Sequence, residues 1–122
     1  MLVGPIEAVR LFTRNTEKSC AFYRETLELT ASLIGDDLAI FETGQAKLVI
    51  EHCPPDDAET DTLVGRFAGL SFTVTEMAAS VRTLEARGVI FEGPPERQAW
   101  GGVLAHFQDP DGNILTLVEY PS

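Results

Sequence analysis

A histidine and a glutamate, His106 and Glu51, stand in stretches of alternating apolar and polar residues, where each would project from a strand. Imidazole is the side chain whose ordinary titration falls between pH 5 and 8. A carboxylate is its natural partner as proton donor or acceptor, so these two are the candidate catalytic residues. His106 has two readings: it meets a ligand, or it is bonded to a neighbouring strand or to Glu51. Arg10 supplies a fixed cation that could pair with Glu51 or meet a ligand. Removing such a pair from water is costly unless it is well bonded. Trp100, followed by Gly101-Gly102, could stack on an aromatic or cationic guest, or cover a sheet or a dimer contact. His52 follows Glu51 and reads as a strand-end side chain near solvent. Cys20 and Cys53 lie outside any Cys-x-x-Cys pattern and read as reduced thiols.

The elements that must position these residues come in a repeated order. A strand over 6–13 leads to a helix capped by Asn15, with Glu17 in its first turn and Cys20, Tyr23 and Leu27 as its apolar stripe. Strands follow over 29–33, 38–42 and 46–52, separated by Gly35-Asp36-Asp37 and Thr43-Gly44-Gln45. Residues 54–66 open with Pro54-Pro55-Asp56-Asp57 and read as a linker. The second half repeats the pattern. A strand over 70–74 precedes a helix with Thr75 as its cap, Met77, Val81 and Leu84 as its stripe and Gly88 as its stop. Strands then follow over 89–92, 103–108 and 113–119. Asp109-Pro110-Asp111-Gly112 predicts a type I turn ending in a left-handed glycine, hence a bulged hairpin that pairs His106 with Thr116. The chain is therefore read as α+β: one domain over 1–122, built of two tandem βαβββ modules at about 5–53 and 67–120, packed to cover their apolar faces.

Composition narrows the function classes. The 122 residues carry 9 basic and 19 acidic side chains, a formal net charge of -10. A phosphate-backbone binder needs the opposite sign on at least one face, so nucleic acid is not an expected partner. The acidic field would draw cationic ligands. There is no apolar run long enough to cross a bilayer and no signal-peptide pattern at the start, so a cytoplasmic protein without membrane contact is expected.

Asn15-Thr16-Glu17-Lys18-Ser19-Cys20-Ala21-Phe22-Tyr23, Leu84-Glu85-Ala86-Arg87-Gly88-Val89 and Phe107-Gln108-Asp109-Pro110-Asp111-Gly112-Asn113 resemble the two helices and last hairpin of the vicinal-oxygen-chelate superfamily. This is the group of glyoxalases, bleomycin-resistance proteins and extradiol dioxygenases. The resemblance implies a cupped mixed sheet with helices on its outer face, and a homodimer in which modules from two chains complete each cup. Metal-dependent members place ligands on four cavity-side strands, and the matching positions here are Ala8, Glu51, Gly69 and Thr116. Of these Glu51 alone is a good ligand, so no metal and no other cofactor is expected. Glu7, His52 and Glu119 lie at odd offsets from those positions and should point away. By the same parity Arg10, Phe12, Lys47, Val49, Ser71, Thr73, Ile114 and Val118 share the cavity face. The expected ligand-binding set is Arg10, Phe12, Glu51, Ser71, Trp100, His106 and Thr116.

Two functions fit. One is metal-independent binding of a small cationic or amphipathic molecule, as in the antibiotic-sequestering members. The other is a glyoxalase-like lyase or isomerase that uses Glu51 and His106, with or without a divalent metal.

Overall fold

The computed structural model describes residues 2–122. They form two compact units, one ending at Gly65 and the other spanning Arg66–Ser122. Module one holds β1 (Ala8–Thr13), α1 (Thr16–Ala21), β2 (Thr30–Ile34), β3 (Leu38–Glu42), β4 (Lys47–His52) and a short α2 (Thr60–Leu63). Module two holds β5 (Phe67–Thr73), α3 (Met77–Ala86), β6 (Glu96–Arg97), β7 (Val103–Gln108) and β8 (Ile114–Glu119). The sheets run β1-β4-β3-β2 and β5-β8-β7-β6. In each, the first and last strands of the module are parallel neighbours and the remaining pairs are antiparallel. The expected α+β architecture of two βαβββ repeats is what the chain adopts, as two four-stranded mixed sheets.

In module one Asn15 caps α1 as expected, its Oδ1 accepting from the Lys18 amide at 3.0 Å. The helix then widens into a π-helical turn over Phe22–Thr26. Tyr23, on that turn, is fully buried against Phe41 of β3, with ring centroids 5.9 Å apart. Leu11, Ala39, Leu48 and Ile50 complete this core from one face of the sheet. The alternation of strand side chains sends Ala8, Arg10, Phe12, Val49 and Glu51 to the other face.

Module two buries Ala105, Phe107, Leu115 and Leu117 with Met77 and Leu84 of α3. The hairpin after β7 has the bulged form: the Asp109 amide donates to the Asn113 carbonyl, the Gly112 amide donates to the Asp109 carbonyl, and Gly112 sits at φ 82°. Asp109 also accepts from the amides of Asp111 and Asn113 and from Asn113 Nδ2, which seals the turn.

Four local expectations are revised. The strand placed over 89–92 shrinks to a bridge at Phe91, opposite Phe107, with regular pairing resuming at Glu96–Arg97. Pro94 and Pro95 lack the amide hydrogen a ladder needs, so the segment bows out between these points. The cap of α3 is not Thr75: the Met77 amide donates at 2.7 Å to Oε1 of Glu119, on β8. β5 begins at Phe67 rather than Leu70, passing through a register shift where Gly69 takes φ 71°. The segment read as a linker contains α2, held by the Thr60 hydroxyl donating to the Pro54 carbonyl at 2.6 Å.

Candidate functional site

Each module presents one face of its sheet that no helix of that module supplies with core. On module one, Arg10 and Phe12 of β1 stand beside Val49 and Glu51 of β4, in register. The Arg10 guanidinium grips Glu51: Nε lies 3.2 Å from both carboxylate oxygens and Nη2 donates to Oε2 at 2.8 Å. Its Cζ also lies 5.4 Å from the Phe12 ring centroid, a cation–π contact. The hydrogen bond and charge of Glu51 raise the Arg10 pKa above its ordinary value, so the cation is permanent. The Arg10 side chain is 62% exposed, so the pair lies at the water boundary rather than in the core. His52, one residue on, turns the other way as expected, with Nδ1 3.5 Å from an Asp37 carboxylate oxygen.

On module two, Ser71 of β5, Thr116 of β8 and His106 of β7 occupy one row across three adjacent strands. The pairing of His106 with Thr116 follows the register set by the bulged hairpin. His106 Nδ1 and Thr116 Oγ1 share a hydrogen bond of 2.8 Å. Thr116 is buried and His106 half-buried. Phe67 meets the imidazole edge-on, centroids 5.9 Å apart. His106 also lines a cleft of about 70 Å³ with Glu92, Gly93, Pro94, Glu96, Gln98 and Leu104. Its outer wall is the bowed segment that the two prolines keep out of the sheet.

Among the expected binding residues, the structure brings Arg10, Phe12 and Glu51 together in module one and Ser71, His106 and Thr116 together in module two. Trp100 is engaged elsewhere. Its indole covers Gly102 so closely that a Cβ there would fall 2.0 Å from Cζ3, and it meets Tyr120 at 5.8 Å. Phe67 and the cleft wall were not foreseen. Phe67 shares the parity of Gly69 and Ser71, so a strand started three residues earlier includes it.

The four positions matching metal ligands in the superfamily do not fit a divalent ion. Ala8 and Gly69 have no donor atom in their side chains. The Thr116 hydroxyl is neutral and already bonded to His106, and both Glu51 oxygens accept from Arg10. Among the described residues, no group of three or more His, Cys, Asp or Glu side chains could hold a metal ion. No described helix is long and apolar enough to cross a membrane.

Comparison with known proteins agrees with this architecture. The chain is 28% identical over 119 residues to the uncharacterized protein YraH of Bacillus subtilis, covering 89% of this chain and 93% of that protein. A Glyoxalase/bleomycin resistance protein/dioxygenase superfamily member from Sphaerobacter thermophilus superposes with a TM-score of 0.80 at 25% identity, over 98% of this chain and 99% of its own. A lactoylglutathione lyase from Agrobacterium tumefaciens shares the fold, with a TM-score of 0.75 at 21% identity over 96% of this chain and 94% of its own. The family model for the Glyoxalase/Bleomycin resistance protein/Dioxygenase superfamily matches residues 5–117. The chain belongs to that superfamily.

Proposed function

We propose that this protein binds a small cationic or amphipathic molecule, such as an antibiotic, without a metal, and that the open face of module two is the centre of recognition. The observation that carries this reading is the Ser71–Thr116–His106 row beside Phe67. It joins hydroxyl and imidazole groups to an aromatic ring and a cleft, the mixture of apolar surface and few polar anchors that small-molecule sites use. The polar partner of His106 is a neutral hydroxyl rather than a carboxylate, which favours recognition over proton transfer. The sheet face of module one carries its own polar group, the Arg10–Glu51 pair, at the water boundary. The net charge of -10 favours a cationic guest. The reading includes self-association into a homodimer and a cytoplasmic location.

The test is a thermal-shift panel on untagged protein, with bleomycin and simple cationic amphiphiles, alongside elemental analysis and light scattering. A ligand at a hundredfold excess over its Kd stabilises the folded state by about 2.7 kcal/mol, a shift of several degrees. His106→Ala should weaken that shift without abolishing it. A metal present at one per chain would overturn the metal-free reading. Hemithioacetal turnover lost in both His106→Ala and Glu51→Gln would replace binding with lyase or isomerase chemistry.

A further inference from the structure

We infer that the cleft beside His106 takes a vicinal amino alcohol, a compact head in which an ammonium and a hydroxyl sit on adjacent carbons. The inference rests on the reading of this face of module two as a binding site, and it names the chemistry of the guest. The cleft arises from a mismatch between two segments. Phe91 stands opposite Phe107 and Glu96 opposite Leu104, so four residues, 92–95, run past only two, Ala105 and His106. Pro94 and Pro95 keep the surplus out of the ladder, and a hollow of about 70 Å³ is left against β7. A water molecule takes up about 30 Å³ in the liquid, so the hollow admits a head group of a few heavy atoms and no more.

Two kinds of group face this hollow. The first is an open donor. The His106 carbonyl accepts from the Glu92 amide at 2.8 Å, which places that edge of β7 against the bowed segment. The amide and carbonyl of one strand residue share an edge, so the His106 amide points the same way. Among the described residues, no main-chain carbonyl of 92–95 accepts from it. A backbone amide is an obligatory donor, and this one is available to an oxygen on a guest.

The second is uncompensated negative charge. Glu92 and Glu96 line the hollow, and neither is paired with a lysine or arginine among the described residues. Arg97, next in the chain, turns its guanidinium to the Gly101 carbonyl at 3.3 Å. Glu92 is also held in place: its Oε2 accepts from Gln108 Nε2 at 2.7 Å, which leaves Oε1 to a guest. A carboxylate fixed in advance loses less freedom on meeting an ammonium. An oxygen for the amide and an ammonium for the carboxylates, confined to one small hollow, are the two ends of an amino alcohol. A larger apolar body leaves the hollow past His106, toward the exposed ring of Phe67.

The experiment is an amide NMR titration of isotope-labelled full chain with phenylethanolamine. The comparison compounds are phenethylamine, which lacks the hydroxyl, and styrene glycol, which lacks the ammonium. Phenylethanolamine should move the His106 amide resonance and bind about fivefold more tightly than either analogue. Glu92→Gln, at an exposed position, keeps an acceptor for Gln108 and removes the charge. It should weaken phenylethanolamine about fivefold and leave styrene glycol unchanged. Added salt should weaken phenylethanolamine on the parent chain more than on that variant. Equal binding of phenethylamine, a His106 amide that stays still at saturation, or undiminished binding to Glu92→Gln would overturn the proposal while leaving module two a binding site. No response to any of the three compounds at millimolar concentration would also overturn it. If the cationic amphiphiles of the thermal-shift panel failed as well, the reading of the face would fall with it.

Discussion

The two modules share a strand order but solve the same structural problems differently. Module one pairs β1 with β4 over six unbroken positions, whereas β5 reaches β8 only through the shift at Gly69. On its open face, module one sets a guanidinium against a carboxylate in water, while module two sets an imidazole against a buried hydroxyl. The contrast teaches that a duplicated backbone fixes which positions face outward but not what electrostatics they carry. Full charges persist where water screens them. Where the neighbour is buried, that neighbour is a hydroxyl, because a desolvated ion in its place would cost several kcal/mol.

The largest effects should come from what the modules have in common. Phe41→Ala and Phe107→Ala each empty a fully buried aromatic site, and each should cost about 3–5 kcal/mol in urea unfolding. A small loss in one of them would show that the two cores are not equivalent. Next, Gly69→Ala should cost about 1–2 kcal/mol, since a Cβ meets only open contacts there but the backbone is left-handed. The equivalent change in module one has no counterpart, and a neutral Gly69→Ala would erase this difference between the sheets.

The open faces then separate by a smaller margin. Thr116→Val should cost about 1 kcal/mol, because it strands His106 beside a buried methyl group. Glu51→Gln should cost less than Thr116→Val, and that cost should vanish in high salt. A reversed order would mean that the Arg10–Glu51 pair is structural. The smallest effect concerns the thiols of module one. Burial pushes Cys20 up, with Arg24 opposing; burial pushes Cys53 up too, reinforced by Asp57, Glu51 and Glu59. Since only the thiolate reacts, alkylation of both at pH 8 should lag behind free cysteine and keep climbing as pH rises past the ordinary thiol range.

Much of this arrangement was legible in the residues. The Asp109–Gly112 turn has few ways to close, so it fixed the hairpin register and with it the pairing of His106 with Thr116. Side-chain alternation separates Leu48 and Ile50 from Val49 and Glu51. What escaped depended on distant or backbone-level events. Glu119 reaches Met77 from another strand, which no local capping pattern announces. Pro94 and Pro95 cannot pair in a ladder, which cuts the expected strand over 89–92 to a bridge at Phe91 and builds the wall beside His106. A strand started at Leu70 leaves out Phe67, which the register shift at Gly69 keeps in β5.

The borrowed cap on α3 bears on the order in which the chain matures. Helix α1 takes its cap from Asn15, its neighbour in the chain, whereas α3 takes one from a carboxylate 42 residues downstream. The first half can therefore ripen during synthesis, while the second gains its final latch only once β8 has emerged. Trimming or mutating Glu119 should slow that last step more than it disturbs the finished fold.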